Sequence, residues 1–198
     1  FFLIEHALKA RLDADTAGRL HTGRSRNDID HTIFKIVLKQ RIDLLLCQMR
    51  ELLDALIDKA TTESATIVVA YTHGQPAQPT TFGHYLSAYI EVLIGDIDRL
   101  AAAREIVDRS SMGAGAITTT GFPLNRARMA ELMGFAAFRQ NSYGCIAAVD
   151  YITAPYSALR VAMLHLGRIV QDFQFWSSFE VGQLHVPDGY VQISSIMP

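Results

Sequence analysis

Apolar residues recur at helical spacing through a run of about thirty residues, a length that few folds can accommodate. Ile29, Ile33, Ile36, Leu45, Met49, Leu52 and Leu56 are separated mostly by steps of three and four, with a looser stretch near Gln40. The pattern predicts one face of a long helix from Asp28 to about Ala60, with Asn27 or Asp28 as its N-cap. The segment "PAQPTT" holds two prolines and is not helical throughout. Thr81 then caps a second long helix, with the stripe Leu86, Tyr89 or Ile90, Leu93, Ile97, Leu100 and Val107. A shorter helix runs from about Asn125 to Met133 and stops at Gly134. A third long pattern extends from Asn141 to about Val181, and Pro155 inside it predicts a kink or break near Ile152. The chain closes as a loop with one helical turn. No alternation typical of strands stands out. The reading is all-α, a bundle of long helices. A helix of thirty residues is about 45 Å long, and such rods usually bury their surplus apolar faces against other chains.

Composition supports that reading. The 198 residues are 49% hydrophobic and 19% charged, which is apolar for a free-standing domain and points to an oligomer or a fragment. The opening "FFLIEHALKARLD" has the pattern of a helix already under way and lacks the basic start of a signal peptide. The chain therefore reads as one helical-bundle domain, residues 1–198, excerpted from a longer protein. Its formal net charge of -2 argues against a nucleic-acid partner. No apolar run reaches the ~18–20 residues of a membrane helix. The two cysteines, Cys47 and Cys145, are too few for a disulfide framework and fit a reducing, cytoplasmic setting.

Four stretches lie between or after the helices. "LHTGRSRND", residues 20–28, cannot be core. Arg24 and Arg26 carry guanidinium forks suited to carboxylates, Asn27 both donates and accepts, and Ser25 and Thr22 add hydroxyls. A helix N-terminus next to them supplies free amides. The reading is an anion site; the alternative is a solvated helix-entry loop. In "YTHGQPAQPTTFGH", Thr72, His73 and Gln75 precede a proline-stiffened loop, where a histidine suits proton transfer. The alternative is a histidine that is merely hydrogen-bonded, and the same holds for His84. His165, between Leu164 and Leu166, reads as a core or interface residue. "ISSIMP" offers Ser194 and Ser195, yet a serine hydroxyl is a weak base unless amides or a cation stabilise its alkoxide. "MGAGAITTTG" fails the dinucleotide fingerprint in spacing and context, and reads as a close-packed glycine turn. No metal-binding spacing is present in the sequence.

Taken in order, "LHTGRSRND", "YTHGQPAQP", "GAGAITTTGFPLNR" and "WSSFEVGQLHVPDGYVQISSIMP" resemble the argininosuccinate lyase family of the fumarase/aspartase superfamily. The resemblance covers essentially the whole chain. It implies a homotetramer whose central helices form the core, with active sites shared between subunits. It also implies a cofactor-free reaction on a small anionic substrate: elimination of arginine from argininosuccinate, leaving fumarate. On the matching positions Ser194 would be the base, with His73 assisting proton transfer. Arg24, Ser25, Asn27, Thr72, Gln75 and Ser195 would bind substrate. The chain departs from the family pattern at Ile193, where glycine is usual, at Gly74 and Pro76, where Leu and a basic residue are common, and at Val149, where Arg is common. These replacements motivate two alternatives: a lyase of the same fold acting on another N-substituted aspartate, and a non-catalytic crystallin-like relative.

Overall fold

A computed structural model describes residues 2–197. The chain is mostly helical and divides into two compact units, Phe1–Gln48 with Asp98–Ala158, and Met49–Ile97 with Leu159–Pro198. The element order is α1 (Phe2–Lys9), α2 (Ala14–Arg19), α3 (Arg26–Thr62), β1 (Ile67–Thr72), β2 (Gln75–Thr81) and α4 (Phe82–Val107). It continues through β3 (Arg109–Ser110), α5 (Arg126–Leu132), β4 (Ala137–Phe138), α6 (Ser142–Ala147), α7 (Asp150–Trp176) and a 3-10 turn, Asp188–Tyr190. The three long helices α3, α4 and α7 each contribute to both units. No helix among the described residues is long and apolar enough to cross a membrane.

Helix α3, at 37 residues, spans about 55 Å. It begins earlier than its apolar pattern predicts, and neither Asn27 nor Asp28 is its N-cap. The cap is Ser25: its Oγ accepts the Asn27 N–H at 3.3 Å, and its own N–H donates to Asp28 Oδ1 at 2.9 Å. This is a capping box with Asp in the position usually held by Glu. The buried face also differs from the expected one. Asp28, Thr32, Lys35, Ile42, Leu46, Met49 and Ala60 are buried, with Lys39, Leu53 and Leu56 half-buried between them. Those positions alternate steps of four and three without interruption, a heptad seam. Ile33 instead lies 54% exposed, and Phe34, Val37 and Leu44 share its exposure.

Helix α4 conforms to expectation. Thr81 caps it, with Oγ1 accepting the His84 N–H at 3.1 Å. Leu86, Leu93, Ile97, Leu100 and Val107 are buried. Helix α5 is capped by Asn125, and Gly134 beyond its end has φ +72°. The third long pattern is broken, but not near Ile152. Asn141 caps the short α6, the chain turns extended at Ala148 (φ -81°, ψ 138°), and α7 starts at Asp150. Pro155 stays inside α7, where it merely forgoes one donor to the preceding turn. The helix ends at Trp176, short of Val181, where Ser177 and Ser178 turn their hydroxyls onto carbonyls of the last turn.

The all-α reading misses a hairpin. Strands β1 and β2 pair antiparallel, from Ile67 with Thr81 to Thr72 with Gln75. The register shifts between Ala70 and Tyr71, which leaves Ala77 as the extra residue of a bulge. Pro76 and Pro79 fit because a two-stranded ribbon has only edges. A second, two-residue pairing joins β3 and β4 in parallel.

The core of the second unit is apolar: Ala60, Val68, Phe82, Leu86, Ile169 and Trp176, with Tyr85, Tyr89 and Phe173 packed against it. The Trp176 ring lies 4.5 Å from that of Tyr85 and 6.2 Å from that of Phe82. The first unit buries charge as well. Lys35 donates to the Arg109 carbonyl at 3.0 Å and to Ser111 Oγ at 2.8 Å, with its ammonium 4.7 Å from the centre of the Tyr151 ring. Arg104 bridges Asp43 and Asp108, and Lys39 also donates to Asp108.

Candidate active site

The residues singled out in the sequence lie on three turns. Arg24, Ser25 and Asn27 share the turn that enters α3, in the first unit. Thr72, His73 and Gln75 share the tip of the β1–β2 hairpin, and Ser194 and Ser195 lie in the terminal segment, both in the second unit.

The first turn is shaped by α3. Because Ser25 is the cap, Arg26 is the first helical residue and faces solvent, 3.7 Å from Asp30 one turn on. Arg24 makes no ion pair among the described residues. Its side chain is half-buried beside a cavity of about 180 Å³ lined also by Ile4, Glu5, Leu8, Leu20 and His21. Of the two arginines, Arg24 is thus the one beside a cavity and without an ion pair among the described residues. Asn27 uses one hydrogen of its amide on the Ala116 carbonyl, at 3.0 Å, and keeps the second.

Asp28 fastens this turn to the glycine loop. Its side chain is fully buried, and Oδ2 accepts the N–H groups of Gly113 at 3.1 Å and Gly115 at 3.0 Å, while Oδ1 holds Ser25. Both glycines have positive φ, +83° and +62°, which turns their amides inward. A Cβ at Gly113 would lie 2.7 Å from Arg126 Cγ, and one at Gly115 2.9 Å from the Thr119 carbonyl oxygen. Thr119 is itself left-handed, at φ +66°, a strained state for a β-branched residue. Its hydroxyl donates to the Gly113 carbonyl at 3.0 Å, which holds it there. The loop is the close-packed turn expected, tight from Gly113 to Gly115 and exposed from 116 to 119. Arg126 braces it from α5, donating to the carbonyls of Met112, Arg139 and Gln140.

The second turn is a two-residue hairpin loop. His73 (φ +52°) and Gly74 (φ +71°) are both left-handed, the mirror-image turn whose twist matches that of the strands. Glycine reaches this state without strain and histidine does not, so the hairpin holds His73 in a costly backbone conformation at an exposed tip. His84 is occupied locally, its Nδ1 2.8 Å from Thr80 Oγ1. His165 pairs through Nδ1 with the buried Asp96 at 2.8 Å and is a packing residue of α7.

The third turn is built by a serine. Ser194 Oγ accepts the N–H of Ile196 at 3.3 Å and of Met197 at 3.0 Å. Two amides directed at one hydroxyl oxygen favour its deprotonated form, the condition under which serine acts as a base. The segment leading to this turn is tied back to the hairpin. The side-chain amide of Gln183 accepts from the Val69 N–H at 2.5 Å and donates to the Val69 carbonyl at 3.1 Å, imitating a third strand on β1.

Several of these residues carry no signal in an apolar pattern. Asp28 and Lys35 are buried ionic residues on the seam of α3, and only the heptad spacing of polar with apolar positions would reveal them. Burial pulls the Lys35 ammonium down to about 8, and among the described residues no carboxylate forms an ion pair with it. The Arg139 guanidinium holds the Asp150 carboxyl below the usual carboxylate range, through bonds of 2.7 and 3.0 Å. Among the described residues no group of three or more His, Cys, Asp or Glu is placed to hold a metal ion.

Comparison with known proteins bears on the family and the fold. A profile of the lyase family matches residues 4–198. An argininosuccinate lyase 2 from Agrobacterium fabrum is 69% identical over all 198 residues, which cover 39% of that protein. An argininosuccinate lyase from Methanothermobacter thermautotrophicus is 37% identical over 195 residues, 98% of this chain and 42% of that protein. Among solved structures, EDDS lyase in complex with formate superposes with a TM-score of 0.94 at 32% identity, covering 98% of this chain and 39% of that one. The chain spans about two fifths of the length of the curated relatives it matches. From the profile match over residues 4–198 and the identity that runs its whole length, the chain belongs to the lyase family, on the argininosuccinate lyase branch of the fumarase/aspartase superfamily.

Proposed function

We propose that the full-length protein is a carbon–nitrogen lyase that cleaves argininosuccinate into arginine and fumarate. The observation that carries this reading is the 69% identity, over every residue of the chain, to the Agrobacterium argininosuccinate lyase 2. In this reading Ser194 removes the proton from the carbon next to the one that bears the departing nitrogen. Charge then builds on the adjacent carboxylate, where Arg24, Ser25 and Asn27 supply donors, each worth about 3 kcal/mol when aimed at a developing oxyanion. Thr72, Gln75 and Ser195 bind the remaining polar groups, and His73 takes part in proton transfer to the leaving guanidinium nitrogen. Support comes from the half-buried, ion-pair-free Arg24, the strained His73 and the two amides on Ser194 Oγ.

The working enzyme in this reading is a cytoplasmic homotetramer, with the 198 residues as a central helical-bundle piece. Apolar side chains exposed along α3 (Ile33, Phe34, Val37, Leu44) and α7 (Met163, Leu164, Val170) support burial against other subunits. Purified full-length protein given argininosuccinate should release fumarate, followed by its absorbance. Ser194→Ala should lower kcat at least a hundredfold, or about 2.7 kcal/mol, with substrate binding little changed. Near-normal turnover by that variant removes Ser194 as the base.

The structural similarity to EDDS lyase favours a second reading, a lyase for another N-substituted aspartate. Gly74 and Pro76 replace larger or charged residues of the family pattern at the hairpin tip. Turnover of such a substrate with none of argininosuccinate would select it.

A further inference from the structure

We propose that Asp28 is a positioning residue that joins the arginine turn, residues 20–28, to the glycine loop, residues 112–121, so that both present themselves to one carboxylate group of the substrate. The proposal rests on the lyase reading above for the identity of that ligand. Its own ground is geometric. Asp28 is the only carboxylate among the described residues whose side chain is fully buried while its two oxygens accept three backbone N–H groups from two separate segments. Among the described residues no Lys, Arg or His forms a salt bridge with it, and its partners are backbone amides. The neighbouring Asn27 adds a fourth link between the same two segments, through the Ala116 carbonyl.

The consequence is a shared geometry. Oδ1 fixes where α3 starts, and hence where Ser25 and Arg24 point. Oδ2 draws in the amides of Gly113 and Gly115, which leaves residues 116–119 exposed directly after the buried stretch. A shift of either segment moves the other. Asparagine at position 28 retains one acceptor oxygen but sets an NH₂ donor against a backbone donor on its other side. Either the cap of α3 or the glycine loop is then released, whichever way the amide is flipped.

The experiment uses the full-length protein and fumarate as the probe. Fumarate affinity is measured by titration calorimetry in wild type, Asp28→Asn and Leu100→Ala. Leu100 is buried on α4, outside both segments, and its truncation serves as a control for lost stability. Hydrogen exchange of peptides covering 20–28 and 112–121 is followed in the same three proteins. We expect Asp28→Asn to weaken fumarate binding at least tenfold and to raise exchange in both peptides together. Leu100→Ala should lower the melting temperature with fumarate affinity kept within about twofold. Unchanged exchange in one of the two peptides in Asp28→Asn overturns the coupling. Equal loss of fumarate affinity in Leu100→Ala reduces Asp28 to a general stability role and overturns the positioning claim. If wild type binds no fumarate, the lyase reading fails, and the exchange data alone still decide whether Asp28 couples the two segments. If Asp28→Asn does not fold, Asp28→Glu, which keeps the carboxylate but displaces it by one methylene from all three amides, replaces it with the same expectations.

Discussion

Along α3 the first unit turns Asp28, Thr32 and Lys35 inward, whereas the second unit closes around Ala60, Val68, Phe82, Leu86, Ile169 and Trp176. Both units bury apolar side chains, Ile42, Leu46, Leu100, Val107 and Phe135 among them in the first. The first adds hydrogen bonds whose directions are set by lone pairs and N–H vectors. Asp28, Lys35, Asp108, Ser110 and Ser111 are all buried, and no buried side-chain polar atom among the described residues lacks a partner. The second relies more on area and shape, with rings in tilted contact and fewer buried polar groups, Asp96 with His165 chief among them. A directional core holds a turn at a defined angle. A packed apolar core supports a hairpin and a terminal segment without dictating where their tips point.

Removing packing should be costliest. Trp176→Ala deletes the ring that touches both Phe82 and Tyr85, and should destabilise the full-length protein by about 4 kcal/mol, seen as a lower denaturation midpoint. A loss under about 1 kcal/mol would mean that the aromatic cluster is not what holds the second unit together.

The polar interior should respond instead to pH. Lys35 has a pKa near 8 in the folded chain, lowered from 10.5 by burial. Below pH 8 it is charged both folded and unfolded, and burying that charge costs stability. Between about pH 8 and 10.5 the unfolded chain binds more protons, so stability rises with pH, by a total on the order of 3 kcal/mol. Lys35→Met, which keeps the aliphatic stem, should remove this rise. Melting temperatures recorded from pH 7.5 to 10 in both proteins check it, and an identical slope in the variant would place the titration elsewhere.

The cap should matter least. Ser25→Ala loses the acceptor for the Asn27 N–H but keeps the Asp28 half of the capping box, and should cost about 1 kcal/mol in thermal stability. A much larger loss would show that the two halves of the box act as one.

The same contrast explains which features were legible in the sequence. Helix α4 was read almost residue for residue, because its inward positions are apolar apart from Asp96, which pairs with His165, and hydrophobic periodicity otherwise coincides with burial. Along the first turns of α3 the two diverge. Ile29 and Ile36 are only half-buried and Ile33 is exposed, whereas Asp28, Thr32 and Lys35 are buried, so the apolar pattern is offset by one residue from the buried face. The hairpin was hidden by Pro76 and Pro79, which argue against strands in any sheet with a central position, although "TIVVAYTHGQ" has the β-branched run and the two-residue turn of one. The break before α7 falls at Ala148, where the short helix that Asn141 opens ends and the chain turns extended, while Pro155 stays inside α7 without breaking it. Of the candidate site, the residues with reactive side chains were visible from their motifs. The groups that aim them, Asp28 through amides and Gln183 through β1, were not, because a hydrogen bond to the main chain leaves no trace in the identity of its partner.

At the hairpin tip, a backbone of reversed handedness and an imidazole occupy the same position, His73. Asparagine tolerates that handedness well while carrying no titratable ring, and valine resists it. The position therefore separates two demands that are usually entangled, so exchanges there would sort shape from proton chemistry without touching any other part of the chain.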